Sequence, residues 1–143
     1  MQRTPELEVK HERVASAGAE ALVVFITPAQ LDRDSLGLPP KILEEIRRLR
    51  GRNVFTAKRG QTLLIPTHAW MDYSYVILGG LELSEGLEDI RTAAALAVKK
   101  GLHLHIATYE VRLPDWDGFH PRDVAQAVTE GFLLGAYRRT SYR

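Results

Sequence analysis

The sequence predicts a three-layer α/β domain, in which helices cover both faces of a mixed, mostly parallel sheet. Short segments rich in β-branched residues, such as ALVVFI at Ala21–Ile26, alternate along the chain with segments whose apolar residues recur at helical spacing. Several of the short segments are almost entirely apolar, which is typical of strands that are buried on both faces. No repeat and no long linker divides the 143 residues, so we expect one domain over residues 1–143.

The first half of the chain predicts strands on either side of one helix. LEVKHERV begins with alternating apolar and charged residues, as in a half-exposed strand, and ALVVFI is a buried strand. TPAQLDRDSLGL is predicted as a loop. Pro39 and Pro40 begin a helix that Gly51 ends, with a buried stripe formed by Ile42, Ile46 and Leu49. NVFTAKRGQTLLIP predicts two strands around a turn at residues 58–61.

The second half repeats the alternation of strand and helix. YSYVIL, residues 73–78, predicts a buried strand that is followed by Gly79 and Gly80. We expect Ser84 to cap a helix that runs to Gly101 and buries Ile90, Ala93, Ala94, Ala97 and Val98. LHLHIA predicts a further strand and DWDG a turn, and the final helix is expected to begin near His120 and Pro121.

The composition argues against several classes of protein. A net charge of +1 provides no global field that would select nucleic acid or a membrane as partner. The chain has no cysteine, which excludes disulfides and thiolate nucleophiles and agrees with a cytoplasmic location. The segment MQRTPELEVK has no apolar core of a signal peptide, and the longest apolar run is too short to cross a bilayer. The single asparagine, Asn53, and the many ion-pairing residues favour a thermophilic source.

Gly79 and Gly80 form the candidate ligand loop. They follow a predicted strand and precede a helix, where backbone N–H groups can bind an anion. The pair is shorter than a dinucleotide-binding or P-loop motif, and Glu82 and Glu85 would repel a phosphate. A tight turn between the strand and the helix is the alternative interpretation of both glycines.

The segment RRLRGR places Arg47, Arg48, Arg50 and Arg52 within six residues, which predicts a possible phosphate-binding patch. Glu44 lies three and four residues before Arg47 and Arg48, so ion pairs on the helix surface are the alternative. No aromatic residue interleaves with the arginines to stack on bases.

Metal binding and catalysis find little support in the sequence. His103 and His105 would share one face of the LHLHIA strand, but no third ligand is spaced beside them. No serine lies in a G-x-S-x-G motif, and Asp115 and Asp117 belong to a predicted turn. We therefore expect no catalytic residue and no metal ligand in this chain.

The closing helix predicts both a buried face and a possible interface. Val124, Ala127, Val128, Gly131 and Gly135 fall on one face, with Phe132 at its margin. Because glycine weakens a helix, Gly131 and Gly135 predict that the backbone lies close against the sheet. On the opposite side, Leu133 and Tyr137 form an apolar pair among polar residues, which we interpret as a contact with another domain or another copy of the chain. An ordinary exposed leucine without a partner is the alternative interpretation.

Four segments resemble the N-terminal domain of the leucyl aminopeptidase (cytosol aminopeptidase) family. They are GQTLLIP (Gly60 to Pro66), YVILGGL, the alanine-rich DIRTAAALAVKKG, and the closing DVAQAVTEGFLLGAYRRTSYR. AEALVVFI lies where that domain has its second strand. The resemblance extends from about Val14 to the end of the chain.

The resemblance implies a macro-domain-like α/β/α sandwich that precedes a larger catalytic domain in a hexameric enzyme. It also implies that the two divalent metal ions, zinc or manganese, and the residues that bind them belong to that second domain, so this chain needs no cofactor. None of the family's catalytic residues has a counterpart here. The implied partners are a catalytic aminopeptidase domain, other copies of the chain, or both, and no membrane. Some bacterial relatives use this domain in DNA binding, which leaves nucleic acid as an alternative partner, and a macro-domain-like small-ligand site is the other alternative.

Overall fold

The computed structural model describes the backbone of residues 6–10, 19–32, 36–112 and 118–141, and the side chains of residues 19–32, 36–112 and 118–136. Within these ranges the chain forms five strands and four helices. They are β1 (Glu6–Lys10), β2 (Ala21–Ile26), α1 (Pro28–Leu31), α2 (Pro40–Gly51), β3 (Thr62–Pro66), β4 (Tyr75–Gly80), α3 (Leu87–Leu102), β5 (Thr108–Arg112) and α4 (Pro121–Ser141).

The strands form one sheet in the order β1-β5-β2-β4-β3. All neighbouring strands pair in parallel except β3, which runs antiparallel to β4 at the edge of the sheet. The predicted mixed, mostly parallel sheet is confirmed. Since β2 and β4 pair from Ala21 and Tyr75 up to Ile26 and Gly80, their carboxyl ends lie side by side.

Two apolar clusters lie on opposite faces of the sheet and confirm the three layers. On one face, alternate residues of β2 such as Val23 and Phe25 pack with α3 and α4. On the other face, Leu22 and Val24 pack with Ile42 and Ile46 of α2. Successive side chains of β2 point to opposite faces of the sheet, and helices cover both faces. ALVVFI is therefore apolar at every position.

The segment before β3 differs from the prediction of two strands around a turn. Only Thr62–Pro66 is a strand, and residues 53–60 form turns and irregular structure. The Gln61 side chain organises this region, because its Oε1 accepts hydrogen bonds from the backbone N–H of Thr56 (3.0 Å) and of Lys58 (3.1 Å). Ala57 lies between them, fully buried and at a positive φ of 62°, which is incompatible with an extended strand.

The predicted LHLHIA strand is also wrong. Helix α3 continues to Leu102, residues 103–105 form a turn, and β5 begins only at Thr108. The turn closes the helix because the N–H of Ile106 donates to the Gly101 carbonyl (3.2 Å) while His105 adopts a φ of 58°. Leu104, in the middle of this segment, is exposed.

Other boundaries shift by a few residues. The loop prediction after β2 missed α1, a short helix whose Thr27 and Gln30 form a reciprocal capping box. Helix α3 begins at Leu87 after Gly86, so Ser84 is not its cap. The predicted helix starts at Pro40 and near Pro121 are confirmed. The predicted LEVKHERV strand is described only as far as Lys10, and the DWDG turn lies outside the described residues except for Gly118.

Candidate functional site

The carboxyl edge of the sheet contains the candidate ligand loop. Gly79 and Gly80 do not follow β4 as predicted but are its last two residues. A Cβ on Gly80 would lie 2.6 Å from the carbonyl carbon of Ala57, and one on Gly79 would lie 2.9 Å from the Phe25 ring. Both glycines are therefore required by close packing of the chain on itself, and the 57–58 backbone covers Gly80.

The first turn of α3 contains a buried carboxylate. Asp89 is buried, and its Oδ2 accepts from the backbone N–H of Glu85 (2.7 Å). Its Oδ1 lies 3.3 Å from the Arg59 guanidinium, which also donates to Ser84 Oγ. Glu88 and Asp89 give the first turn of α3 a negative charge that disfavours a bound anion there. Anion binding at Gly79 and Gly80 stays a prediction.

The four arginines of the predicted phosphate patch lie exposed along the end of α2. Arg48 pairs with Glu45, with its Nε 2.9 Å from Glu45 Oε1, and not with the predicted Glu44. Arg50 pairs with Asp32, at the end of α1. These ion pairs neutralise part of the patch, and nucleic-acid binding through Arg47, Arg48, Arg50 and Arg52 stays a prediction.

His103 and His105 do not share a strand face, because both lie in the turn that follows α3. Both side chains are exposed. Across the described ranges, no three histidine, aspartate or glutamate side chains are grouped so that they could hold a metal ion.

Helix α4 has the buried face that its sequence predicts. Each residue of that set is buried: Val124, Ala127, Val128, Gly131, Phe132 and Gly135. The close backbone contact is made with α3, however, and not with the sheet. A Cβ on Gly131 would lie 2.8 Å from the Arg91 carbonyl carbon, and one on Gly135 would lie 2.6 Å from the Ala95 carbonyl oxygen.

The outer face of α4 exposes two adjacent leucines. Leu133 and Leu134 each retain 49% of their surface, and the side chain of Tyr137 lies outside the described residues. Of the predicted interface pair, Leu133 is thus exposed as expected, and Leu134 is a neighbour that the sequence analysis missed. The missed signal was the adjacency of two large apolar residues outside the buried stripe.

An ion-pair network lies beside these leucines and joins α3 to α4. Arg91 of α3 donates from Nε to Glu130 of α4 (2.7 Å) and from Nη1 to Glu88 (3.1 Å). The hydrogen bond from Arg91 lowers the pKa of Glu130, and the same bond raises the pKa of Arg91. Gln126 adds a second hydrogen bond to Glu130 (3.2 Å).

A buried polar pair on the α2 face of the sheet was also missed. Glu110 of β5 is only 2% exposed, and its Oε2 accepts from the Tyr73 hydroxyl at 2.6 Å. Its Oε1 is buried without a hydrogen-bond partner. Within TYEVR a lone glutamate gives no sequence signal of burial, because an alternating strand places charged residues on a solvent face as readily.

Among the described helices, none combines the length and the apolar content that a transmembrane span requires.

Comparison with known proteins identifies relatives of this fold. A family model described as the cytosol aminopeptidase family, N-terminal domain, matches residues 23–143. A curated protein named probable cytosol aminopeptidase from Roseiflexus castenholzii is 33% identical over 91 residues, which cover 62% of this chain and 19% of that protein. The chain thus spans about a fifth of that relative's length.

Two solved structures share the fold at low sequence identity. A mutant of tomato leucine aminopeptidase superposes with a TM-score of 0.66 and 18% identity, over 94% of this chain and 28% of that one. The macrodomain of Mycobacterium tuberculosis DarG superposes with a TM-score of 0.66 and 16% identity, over 91% of each chain. These matches confirm the macro-domain-like fold, and the family model leads to the conclusion that the chain belongs to the cytosol aminopeptidase family, as its N-terminal domain.

Proposed function

We propose that this domain is non-catalytic and serves in the assembly or regulation of a metal-dependent cytoplasmic aminopeptidase, which removes N-terminal amino acids from peptides. The observation that carries the proposal is the exposed pair Leu133 and Leu134 on the outer face of α4. Support also comes from family membership and from the small share of the relatives' length that the chain spans.

In this proposal, the larger domain of such an enzyme binds the two divalent ions and carries out the chemistry. Bound metal would activate a water molecule for attack on the peptide bond. The residues that the structure describes do not fit such a pair of ions, because no group of three possible ligands occurs among them. We therefore derive no step of the reaction for this chain.

The surface around Leu133 and Leu134 has the pattern of a protein interface. A single exposed leucine is ordinary, but two adjacent ones form an apolar centre. Glu130 and Gln126 lie on the same side of the helix and supply a polar rim, with Glu130 held by Arg91. Such a patch fits the catalytic domain or a second copy of the chain.

Replacing both leucines by serine tests the assembly role. In the longer aminopeptidase, or in a self-associating form of this chain, Leu133→Ser with Leu134→Ser should weaken assembly in light scattering. The isolated domain should lose no more than about 1 kcal/mol of unfolding free energy, because both positions are exposed. Gln126→Ser on the same face is the matched control. Unchanged assembly, or unfolding of the isolated domain by several kcal/mol, would contradict the proposal.

Activity measurements test the non-catalytic role separately. The purified chain, supplied with manganese or zinc and an aminoacyl anilide, should release product no faster than buffer. Turnover that survives repurification and disappears with a chelator would overturn this part of the proposal.

A further inference from the structure

Strand β3 leaves one edge of the sheet open. Among the strands that the structure describes, it is the last in the order β1-β5-β2-β4-β3, and β4 is its one partner. The N–H of Gly80 donates to the Gln61 carbonyl (2.9 Å), and the N–H of Thr67 donates to the Ser74 carbonyl (3.0 Å). Because hydrogen-bonded pairs alternate in an antiparallel ladder, residues 61, 63, 65 and 67 bond toward β4.

The intervening residues Thr62, Leu64 and Pro66 therefore direct their backbone groups away from the sheet. Thr62 and Leu64 each present one N–H and one carbonyl at this edge, and Pro66 presents a carbonyl alone. Edge strands commonly carry charged residues or proline that hinder pairing. None of the five residues in TLLIP is charged, and Pro66 at its end is the single proline.

This pattern is complementary to itself under a two-fold axis through Leu64. In such an antiparallel pair, the two Leu64 residues would exchange both of their backbone hydrogen bonds. Each Thr62 would lie opposite Pro66 of the second copy and would donate its N–H to that carbonyl. Because Pro66 has no N–H, the Thr62 carbonyl of each copy is the one outward group left without a donor. A water molecule at the rim of the interface can donate to that carbonyl.

Charge and apolar surface on either side of β3 favour the same arrangement. Lys58 is exposed in the turn before Thr62, where its carbonyl accepts from the Gln61 N–H (3.0 Å). At the other end of the strand, Glu45 lines a groove of about 170 Å³ beside Pro66, together with Leu49 and Trp70. Trp70 is 42% exposed. Antiparallel pairing would bring Lys58 of each copy toward Glu45 of the other, where it would join the existing pair of Glu45 with Arg48.

We propose that β3 is a homodimerisation edge, at which a second copy of this chain extends the sheet by antiparallel pairing centred on Leu64. This inference goes beyond the assembly role of α4, because it needs no catalytic domain and uses the backbone of β3 instead of the α4 leucines. A continuous sheet of both copies would result.

Sedimentation velocity over a wide concentration series tests the proposal on the intact chain. The unchanged protein should show a reversible monomer–dimer equilibrium. Thr62→Pro removes one outward N–H from each copy without removing a bond to β4, so it should raise the dimer dissociation constant about tenfold or more. Circular dichroism establishes that the variant retains its fold.

A charge exchange distinguishes the interface from a structural effect. Lys58→Glu alone and Glu45→Lys alone should each weaken the dimer several-fold, and the double variant should restore most of the affinity. A monomer at every concentration, or a dimer insensitive to all of these changes, would overturn the proposal. So would a monomer that instead binds extended peptides at this edge, or a dimer that is lost only with Leu133→Ser and Leu134→Ser.

Discussion

At the scale of single residues, the contact between Tyr73 and Glu110 is the most demanding polar interaction in the described core. A buried carboxyl group loses its hydration and must recover hydrogen bonds inside the protein. Here Glu110 recovers one, from the Tyr73 hydroxyl, while its other oxygen has none. Among the described residues, the Tyr73 hydroxyl is therefore the one hydrogen-bond donor to this carboxyl group.

We expect Tyr73→Phe to lower the free energy of unfolding by about 1–3 kcal/mol, because it leaves the buried Glu110 carboxyl group with no hydrogen bond. Chemical denaturation measures the change. Tyr75→Phe is the matched control, since Tyr75 is half-buried two residues further along and no side-chain hydrogen bond is recorded for it. Equal effects of the two substitutions would show that loss of the hydroxyl, and not the pairing with Glu110, determines the cost.

Gly131 shows how a local preference can be reversed by packing. Alanine normally stabilises a helix relative to glycine by about 1 kcal/mol. At Gly131 the added methyl group would overlap the backbone of Arg91, which cannot move without displacing α3. We expect Gly131→Ala to destabilise the fold by about 1–3 kcal/mol, through overpacking.

Gly51, the last residue of α2, provides the comparison, because nothing lies within 4 Å of a Cβ placed there. Thermal melting of Gly51→Ala should match or slightly exceed that of the unchanged protein. If Gly131→Ala melts as high as Gly51→Ala, the contact between the two helices is looser than the structure indicates.

At the scale of elements, α3 and α4 form a parallel pair that small residues hold together by backbone contact. Gly131 lies against Arg91 and Gly135 lies against Ala95, so the two helices keep a constant offset along this stretch. The sequence predicted the close approach but assigned it to the sheet. Helical periodicity identifies which residues of an element are buried, and it contains no information on which neighbour buries them.

The ion pair between these helices predicts a pH dependence. The hydrogen bond from Arg91 lowers the pKa of Glu130 in the folded state. A carboxyl group with a lowered folded pKa stabilises the protein above its unfolded pKa and loses that contribution as the pH falls through the folded pKa. Glu130→Gln should therefore lower stability at neutral pH and flatten its decline in acid.

The melting temperatures of the unchanged protein and of Glu130→Gln, recorded from neutral to acidic pH, provide the measurement. Glu44→Gln removes an exposed carboxyl group from α2, for which no ion pair is recorded, and serves as the control. If the melting temperature of Glu130→Gln falls with pH as steeply as that of the unchanged protein, this ion pair does not contribute to the acid dependence of stability. Because both groups are exposed, the contribution should shrink with added salt.

Element boundaries near β3 and β5 show where sequence patterns are insufficient. The LHLHIA segment alternates as a strand does, but Gly101 and the positive φ of His105 allow α3 to end in a turn there. Likewise, the strand predicted before the 58–61 turn is replaced by irregular backbone that the Gln61 side chain holds. Both outcomes depend on hydrogen bonds between residues only three to five positions apart, which hydrophobic periodicity does not report.

At the scale of the whole molecule, the layers followed directly from the sequence because β2 and β4 are apolar on both faces. The surroundings of the candidate sites could not be predicted from the sequence in the same way. Gly79 and Gly80 predicted a ligand loop, but the groups that pack on them come from distant segments: the Phe25 ring lies against Gly79, and the backbone of Ala57 and Lys58 lies against Gly80. Surface functions depend on such distant neighbours, as the pairing of Arg50 with Asp32 also shows.

A nucleic-acid role would use the exposed end of α2. Since Arg48 and Arg50 already have acidic partners and the net charge is only +1, we expect duplex DNA to bind no more tightly than about 10⁻⁴–10⁻⁶ M at near-physiological salt. Fluorescence anisotropy with labelled duplex measures this affinity. Submicromolar binding that is lost in Arg47→Ala with Arg48→Ala would make nucleic-acid recognition the leading function.

The pairing of β1 with β5 constrains the time at which the sheet can be completed. Glu6 pairs with Thr108 and Lys10 with Arg112, so the first strand has its partner near the far end of the chain. On the ribosome, β1 must remain without this partner until about a hundred more residues have been added, which takes several seconds at ordinary rates of synthesis. By then β2, β3 and β4, with the helices α2 and α3 between and after them, have all been made. We expect β1 to join the sheet late, when β5 becomes available between it and β2.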